Sequence, residues 1–266
     1  MQDWLETPAG RCLLAWERAR FDEAVVDLFG YHALQLGQPQ LDTLQTNRMP
    51  HQWLVMPDVA SSRLLLSRGD VLVCDFAALP FPQASLDLVV MPHTLEQHAD
   101  PHATLREVDR VLVPEGRVVI CGFNPTSLWA MRERRAQLFG SWGQPYLPPH
   151  QHQIGYWRLR DWLRLLSFEV ESAQFGCYRP AVRTDAWLER FSWMDRLGAR
   201  WWPIFGAAYF VVAVKRVRGM RLLEPGWRSQ RARGAAVPAR STPVARSPAS
   251  RQTPHSRLAP DADGTG

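Results

Sequence analysis

Val71-Leu72-Val73-Cys74-Asp75-Phe76, Leu79-Pro80-Phe81-Pro82, Leu86-Asp87-Leu88-Val89-Val90-Met91 and Gly116-Arg117-Val118-Val119-Ile120-Cys121-Gly122 decide how this chain folds. Three short apolar runs are separated by turn residues and by one helix, the pattern of buried strands in a parallel sheet. The helix has clear punctuation. Asp100 can cap its first turn, and Pro101 takes the first helical position, where the missing N–H costs nothing. Leu105, Val108 and Leu112 fall on one face. Pro114-Glu115-Gly116 then reads as a turn into the next strand.

Cys74-Asp75-Phe76, Leu79-Pro80-Phe81, Leu86-Asp87-Leu88-Val89-Val90, His93-Thr94-Leu95-Glu96, Leu105-Arg106-Glu107-Val108 and Arg110-Val111-Leu112-Val113-Pro114-Glu115-Gly116 form an ordered series. In order and spacing this series resembles the class I, S-adenosylmethionine-dependent methyltransferases, in the type 11 branch that includes quinone-biosynthesis enzymes. The resemblance implies an α/β fold with a doubly wound, seven-stranded, mostly parallel sheet. Its last strand would run antiparallel between the fifth and sixth. It also implies S-adenosyl-L-methionine as cofactor.

Composition bounds the remainder. The chain has 266 residues, 46% apolar, with twelve Trp, which fits a globular protein. Cys12, Cys74, Cys121 and Cys177 are scattered without a Cys-x-x-Cys pair, so no metal site or disulfide framework is expected, and a reducing cytoplasm is the expected compartment. No signal peptide is visible, and the longest apolar run, Trp201 to Val214, is too short for a membrane span. The net charge of +5 resides in residues 228–266, which hold seven Arg and two Asp. Pro238, Pro243, Pro248, Pro254 and Pro260 break any periodicity there, and the segment reads as a disordered tail.

The methyltransferase-like domain is therefore expected over residues 1–227. Residues 1–30 read as a helical cap that starts at Thr7-Pro8, covering the sheet or the rim of the active site. Residues 33–37 are the candidate first strand, and Pro39 to Thr46 the following helix. His51 to Met56 reads as the second strand. Residues 123–157 are long and aromatic, with Trp129, Phe139, Trp142, Tyr146, Tyr156 and Trp157, and read as a lid over the acceptor. Arg158 to Ser167 reads as an amphipathic helix and Phe168 to Phe175 as a strand. Residues 184–200 read as a helix with Trp187, Leu188, Phe191, Met194 and Leu197 inward. Ala207 to Lys215 reads as the last strand.

The resemblance assigns the site. The family's Gly-x-Gly-x-Gly loop corresponds to Gly37-Gln38-Pro39-Gln40-Leu41, which keeps only the first glycine. Glycines there let the main chain approach the methionine part of the cofactor. Asp58, about twenty residues on, is placed to accept from the ribose hydroxyls, or else to cap the next helix. Asp75 would meet the adenine amino group and Phe76 the adenine ring. Met91 and His93 end the fourth strand, and His93 could touch the cofactor or act as a general base, with Glu96 and His98 as neighbouring alternatives. His150 and His152 lack a third ligand for a metal. The expected function is methyl transfer to a small, partly apolar acceptor. The alternatives are a methyltransferase-like binding protein without transfer, and an RNA-modifying enzyme guided by the Arg-rich tail.

Overall fold

In the computed structural model, residues 1–58, 70–138, 145–149 and 152–216 are described. The Arg-rich tail, the helix that Asp58 would cap, Phe139 and Trp142 of the expected lid, and His150 lie outside them. Seven strands make one sheet: β1 (His32–Leu36), β2 (His51–Met56), β3 (Val71–Val73), β4 (Leu86–Pro92), β5 (Leu112–Phe123), β6 (Phe168–Gly176) and β7 (Ala208–Lys215). Their order is β3-β2-β1-β4-β5-β7-β6. β1 pairs in parallel with β2 and β4, and β4 with β5, while β7 lies antiparallel between β5 and β6. This is the sheet of the class I methyltransferase fold.

The two faces of the sheet are read from the period-two pleat. Leu34, Leu36, Val89, Met91, Val118 and Ile120 point to one face, where they meet Leu105 and Val108 of α4 (Pro101–Val111) and Leu159 and Leu163 of α6 (Tyr156–Leu165). Ala33, Leu88, Val90, Val119 and Cys121 point to the other, where Phe21 and Val25 of α2 (Pro8–Val25) cover them. The N-terminal segment is thus a layer of the fold. It begins with α1 (Gln2–Leu5), and Thr7 Oγ1 then caps α2 by accepting from Gly10 N at 3.1 Å.

Side chains of the quoted series hold one another. Glu107 on α4 accepts from Leu79 N at 2.8 Å, and Arg110 donates to Phe81 O at 2.8 Å and to Glu107 at 2.7 Å. Asp87 accepts from Tyr31 N and His32 N at 2.8 and 2.9 Å and so fixes the entry to β1. Asp100 caps α4 by accepting from Ala103 N at 2.9 Å.

Three expectations are corrected. Pro39 to Thr46 forms turns instead of a helix, because the buried Gln35 side chain takes the segment's polar groups. Gln35 Nε2 donates to the carbonyls of Gly37, Gln38 and Leu41, and its Oε1 accepts from Thr43 N and Oγ1. Pro114-Glu115-Gly116 lies within β5, where a register irregularity absorbs the extra residues against β4. Residues 184–200 form two helices, α7 (Asp185–Arg190) and α8 (Trp193–Trp201), and of the five side chains expected inward only Leu188 is buried.

Candidate functional site

A cavity of about 570 Å³ opens at the carboxyl edge of the sheet. Gly37 and Gln38 contribute from the end of β1, Met56 and Asp58 from the end of β2, Phe76 from beyond β3, and Pro92 and Thr94 from the end of β4. Strand order reverses between β1 and β4, so this is the crevice where open α/β sheets hold ligands. The volume suits a small organic molecule.

Local chemistry holds the walls. Gly37 N donates to Val55 O at 2.8 Å, continuing the ladder past β1. Gly37 then turns with φ of 71°, the left-handed region that favours glycine, while a Cβ there would only touch the Phe76 ring at 3.5 Å. Thr94 Oγ1 donates to Leu36 O at 2.6 Å and ties α3 (Thr94–Gln97) to the tip of β1. Gln38 occupies the left-handed region at φ 49°, where a side chain is disfavoured. Its backbone carbonyl is held by Gln35, yet its side-chain Nε2 is buried without a hydrogen-bond partner among the described residues. Leaving a buried donor unpaired costs about 1–3 kcal/mol.

Of the residues expected at the cofactor, Gly37, Asp58 and Phe76 line this cavity. Asp75 stands beside it, exposed. It accepts from Ala77 N at 2.9 Å, which holds its carboxyl below the usual range, and meets Nε2 of the cavity-lining His98 at 3.0 Å. Met91 and His93 do not reach the cavity. The pleat turns Met91 into the core beneath α4, and His93 is fully buried on the opposite side. Among the described residues of 123–157, none lines the cavity. Trp129 and Tyr146, on and after α5 (Leu128–Leu138), pack instead with Phe123 near Trp4.

His93 sits in a sealed polar cluster. Its Nε2 lies 2.6 Å from Glu17 Oε1 on α2, and its Nδ1 lies 2.9 Å from Glu96 Oε2 on α3. Glu96 also accepts from Phe123 N, and Cys121 Sγ lies 3.3 Å from Glu17. Burial alone would lower the imidazole pKa, but the Glu17 and Glu96 carboxylates outweigh it and push it up to about 10. His93 is therefore an imidazolium at neutral pH, unable to accept a proton. Glu17, His93 and Cys121 also form the one group of three His, Cys, Asp or Glu side chains among the described residues whose ligand atoms lie within 4.8 Å of one another.

Glu17 carried a sequence signal. It interrupts the i, i+4 stripe Ala9, Leu13, Phe21, Val25 on the buried face of α2. The side chain of Gln38 carried none, because its importance depends on the turn that replaces the expected helix.

The sheet has the topology of the class I methyltransferase fold, and residues 54–120 match the family model described as a methyltransferase domain. The uncharacterized protein YafS of Escherichia coli (strain K12) is 30% identical over 168 residues, covering 63% of this chain and 65% of that protein. The ubiquinone/menaquinone biosynthesis C-methyltransferase UbiE of Xanthomonas oryzae is 38% identical over 73 residues, covering 27% and 29%. The chain thus spans less than two thirds of the length of these curated relatives. A solved S-adenosylmethionine-dependent methyltransferase of Archaeoglobus fulgidus shares the fold with a TM-score of 0.55 at 19% identity, over 76% of this chain and 94% of that one. Among the described residues, no helix is long and apolar enough to cross a membrane.

Proposed function

We propose that this protein is an S-adenosylmethionine-dependent methyltransferase acting on a small, partly apolar acceptor. The observation that carries the reading is the cavity at the switch point, still open at about 570 Å³ although Pro39 and Leu41 stand where the family has glycine. The residues present fit the cofactor. Gln38 Nε2, a buried donor with no partner among the described residues, suits an acceptor oxygen of its amino-acid portion. Asp58 would accept from ribose hydroxyls, while Phe76 offers an apolar ring and Asp75 an acceptor for the adenine amino group.

When bound, the cofactor supplies a methyl group already activated on a sulfonium. What remains for the chain is alignment and the exclusion of water. Thr94 holds the β1 and β4 tips at a fixed separation, and His98 positions Asp75. His93 moves no proton in this scheme, since its flanking carboxylates keep it charged. Isothermal titration of the chain with S-adenosyl-L-methionine should give saturable one-site binding, and incubation with the labelled cofactor and candidate quinol- or phenol-like acceptors should transfer label. Absence of any binding heat would reject the reading.

A further inference from the structure

α7, α8 and the short 3-10 turn Pro203–Phe205 connect β6 to β7 and expose an unusual run of large apolar side chains. Trp193, Leu197 and Trp201 recur every four residues along α8 and are 53%, 42% and 67% exposed. Trp187, Trp202, Ile204 and Phe205 extend the exposed apolar surface. Soluble surfaces rarely carry a run of this kind without a partner.

The inward side of α8 is small and polar. Gly198 lies against the Tyr178 ring, where any Cβ would clash, and Asp195 accepts from Tyr178 N at 2.9 Å and from Arg179 at 2.7 Å. The helix is therefore anchored by its polar side and turns its apolar stripe to solvent, the reverse of a core helix.

Charge selects the partner. Arg11 engages Asp185 and Arg179 engages Asp195, which neutralises two of the segment's three acids. Arg196 and Arg200 beside the stripe have no acidic partner among the described residues, and Arg190 lies over the Trp187 ring at 5.7 Å. Tryptophan rings interleaved with uncompensated arginines match the headgroup zone of an anionic bilayer, where indoles settle at the interface and guanidinium groups meet phosphate.

The placement also matters. Phe123 at the end of β5 and Gly176 at the end of β6 both pair with Ala208, so the segment leaves the sheet from the carboxyl edge that holds the cavity. We propose that residues 187–205 form a monotopic docking surface for an anionic phospholipid membrane. The claim stands whether or not the chain transfers methyl groups.

The test is co-sedimentation of the full chain with vesicles of phosphatidylcholine alone or mixed with phosphatidylglycerol. The expected result is binding that rises with phosphatidylglycerol content and weakens with salt. Trp193→Ser, Leu197→Ser and Trp201→Ser combined should lower partitioning by about tenfold, with the circular dichroism spectrum unchanged. Arg196→Glu with Arg200→Glu, both at exposed positions, should remove the preference for anionic over neutral vesicles even if the first variant folds poorly. The proposal is overturned if the wild-type chain stays in the supernatant at every composition. It is equally overturned if the triple variant partitions like the wild type, which would assign binding to another part of the chain such as the Arg-rich residues 228–266. Concentration-dependent dimerisation that the triple variant abolishes, without vesicle binding, would mark a protein interface instead.

Discussion

The turn after β1 and the cluster beneath α2 lie at the same edge of the sheet, and each is built around buried polar side chains. In the cluster, His93 bridges Glu17 and Glu96, Glu96 accepts from the backbone at the tip of β5, and Glu17 Oε2 is buried without a hydrogen-bond partner among the described residues, away from the cavity beside β1. In the turn, Gln35 satisfies the backbone while Gln38 keeps an unpaired donor at a cavity wall. The residue types of the cluster look more catalytic, yet the turn is the place with room for a substrate. Each region thus keeps one unpaired buried polar atom, and what singles out the turn is the cavity beside it: an orphaned group marks a binding place only where there is room for a ligand.

This contrast can be broken by experiment, and the largest effect belongs to the cluster. Glu17→Ala should cost about 3–5 kcal/mol in urea unfolding, because it strips one partner from a buried ion pair. Cofactor affinity of the folded variant should change by less than about threefold, since the two sites share no side chain. A loss of binding far beyond the loss of stability would join the two regions into one site.

The pH dependence follows from the same cluster. The folded-state pKa of His93 is raised to about 10, above the ordinary value of about 6.5 for an unfolded chain. Its contribution is therefore complete below about pH 6.5 and is lost as pH rises through about 10. The stability difference between wild type and His93→Gln should shrink steadily over that window in chemical denaturation. A difference that stays constant would mean that the ring is neutral.

Gln38→Leu should separate the two regions with opposite signs. Removing an unpaired buried donor should leave the free chain as stable or more stable, while affinity for S-adenosyl-L-methionine falls about tenfold, the worth of one hydrogen bond to a charged group. The smallest effect is expected for Asp75→Ala. Its side chain is 63% exposed and already held by Ala77 N and His98, so cofactor affinity should drop by only about two- to fivefold.

Much of the fold was legible because periodicity reports burial. The runs that became β4 and the apolar part of β5, the Asp100-Pro101 helix start and the existence of the final strand follow from patterns that tertiary context reinforces, whereas that strand's antiparallel place in the sheet was implied only by the family resemblance. The segment Pro39–Thr46 misleads because a proline at a helix start says nothing about a glutamine four residues earlier that captures the backbone. Trp187 and Leu197 mislead for a different reason: apolar spacing identifies a stripe but not whether it faces the core or the surroundings. In the site, Gly37, Asp58 and Phe76, which the resemblance assigned, stand at strand ends and line the cavity, whereas Met91 and His93 depend on which way the pleat and a left-handed turn at φ 54° direct them.

The central claim is that the turn after β1 holds the cofactor. A crystal structure of the chain grown with S-adenosyl-L-methionine tests it most directly. The account predicts electron density in the cavity lined by Gly37, Asp58 and Phe76, with Gln38 Nε2 within about 3 Å of an acceptor oxygen of the ligand. Ligand density elsewhere, or Gln38 turned onto a protein acceptor while the cavity stays empty at saturating cofactor, would contradict it.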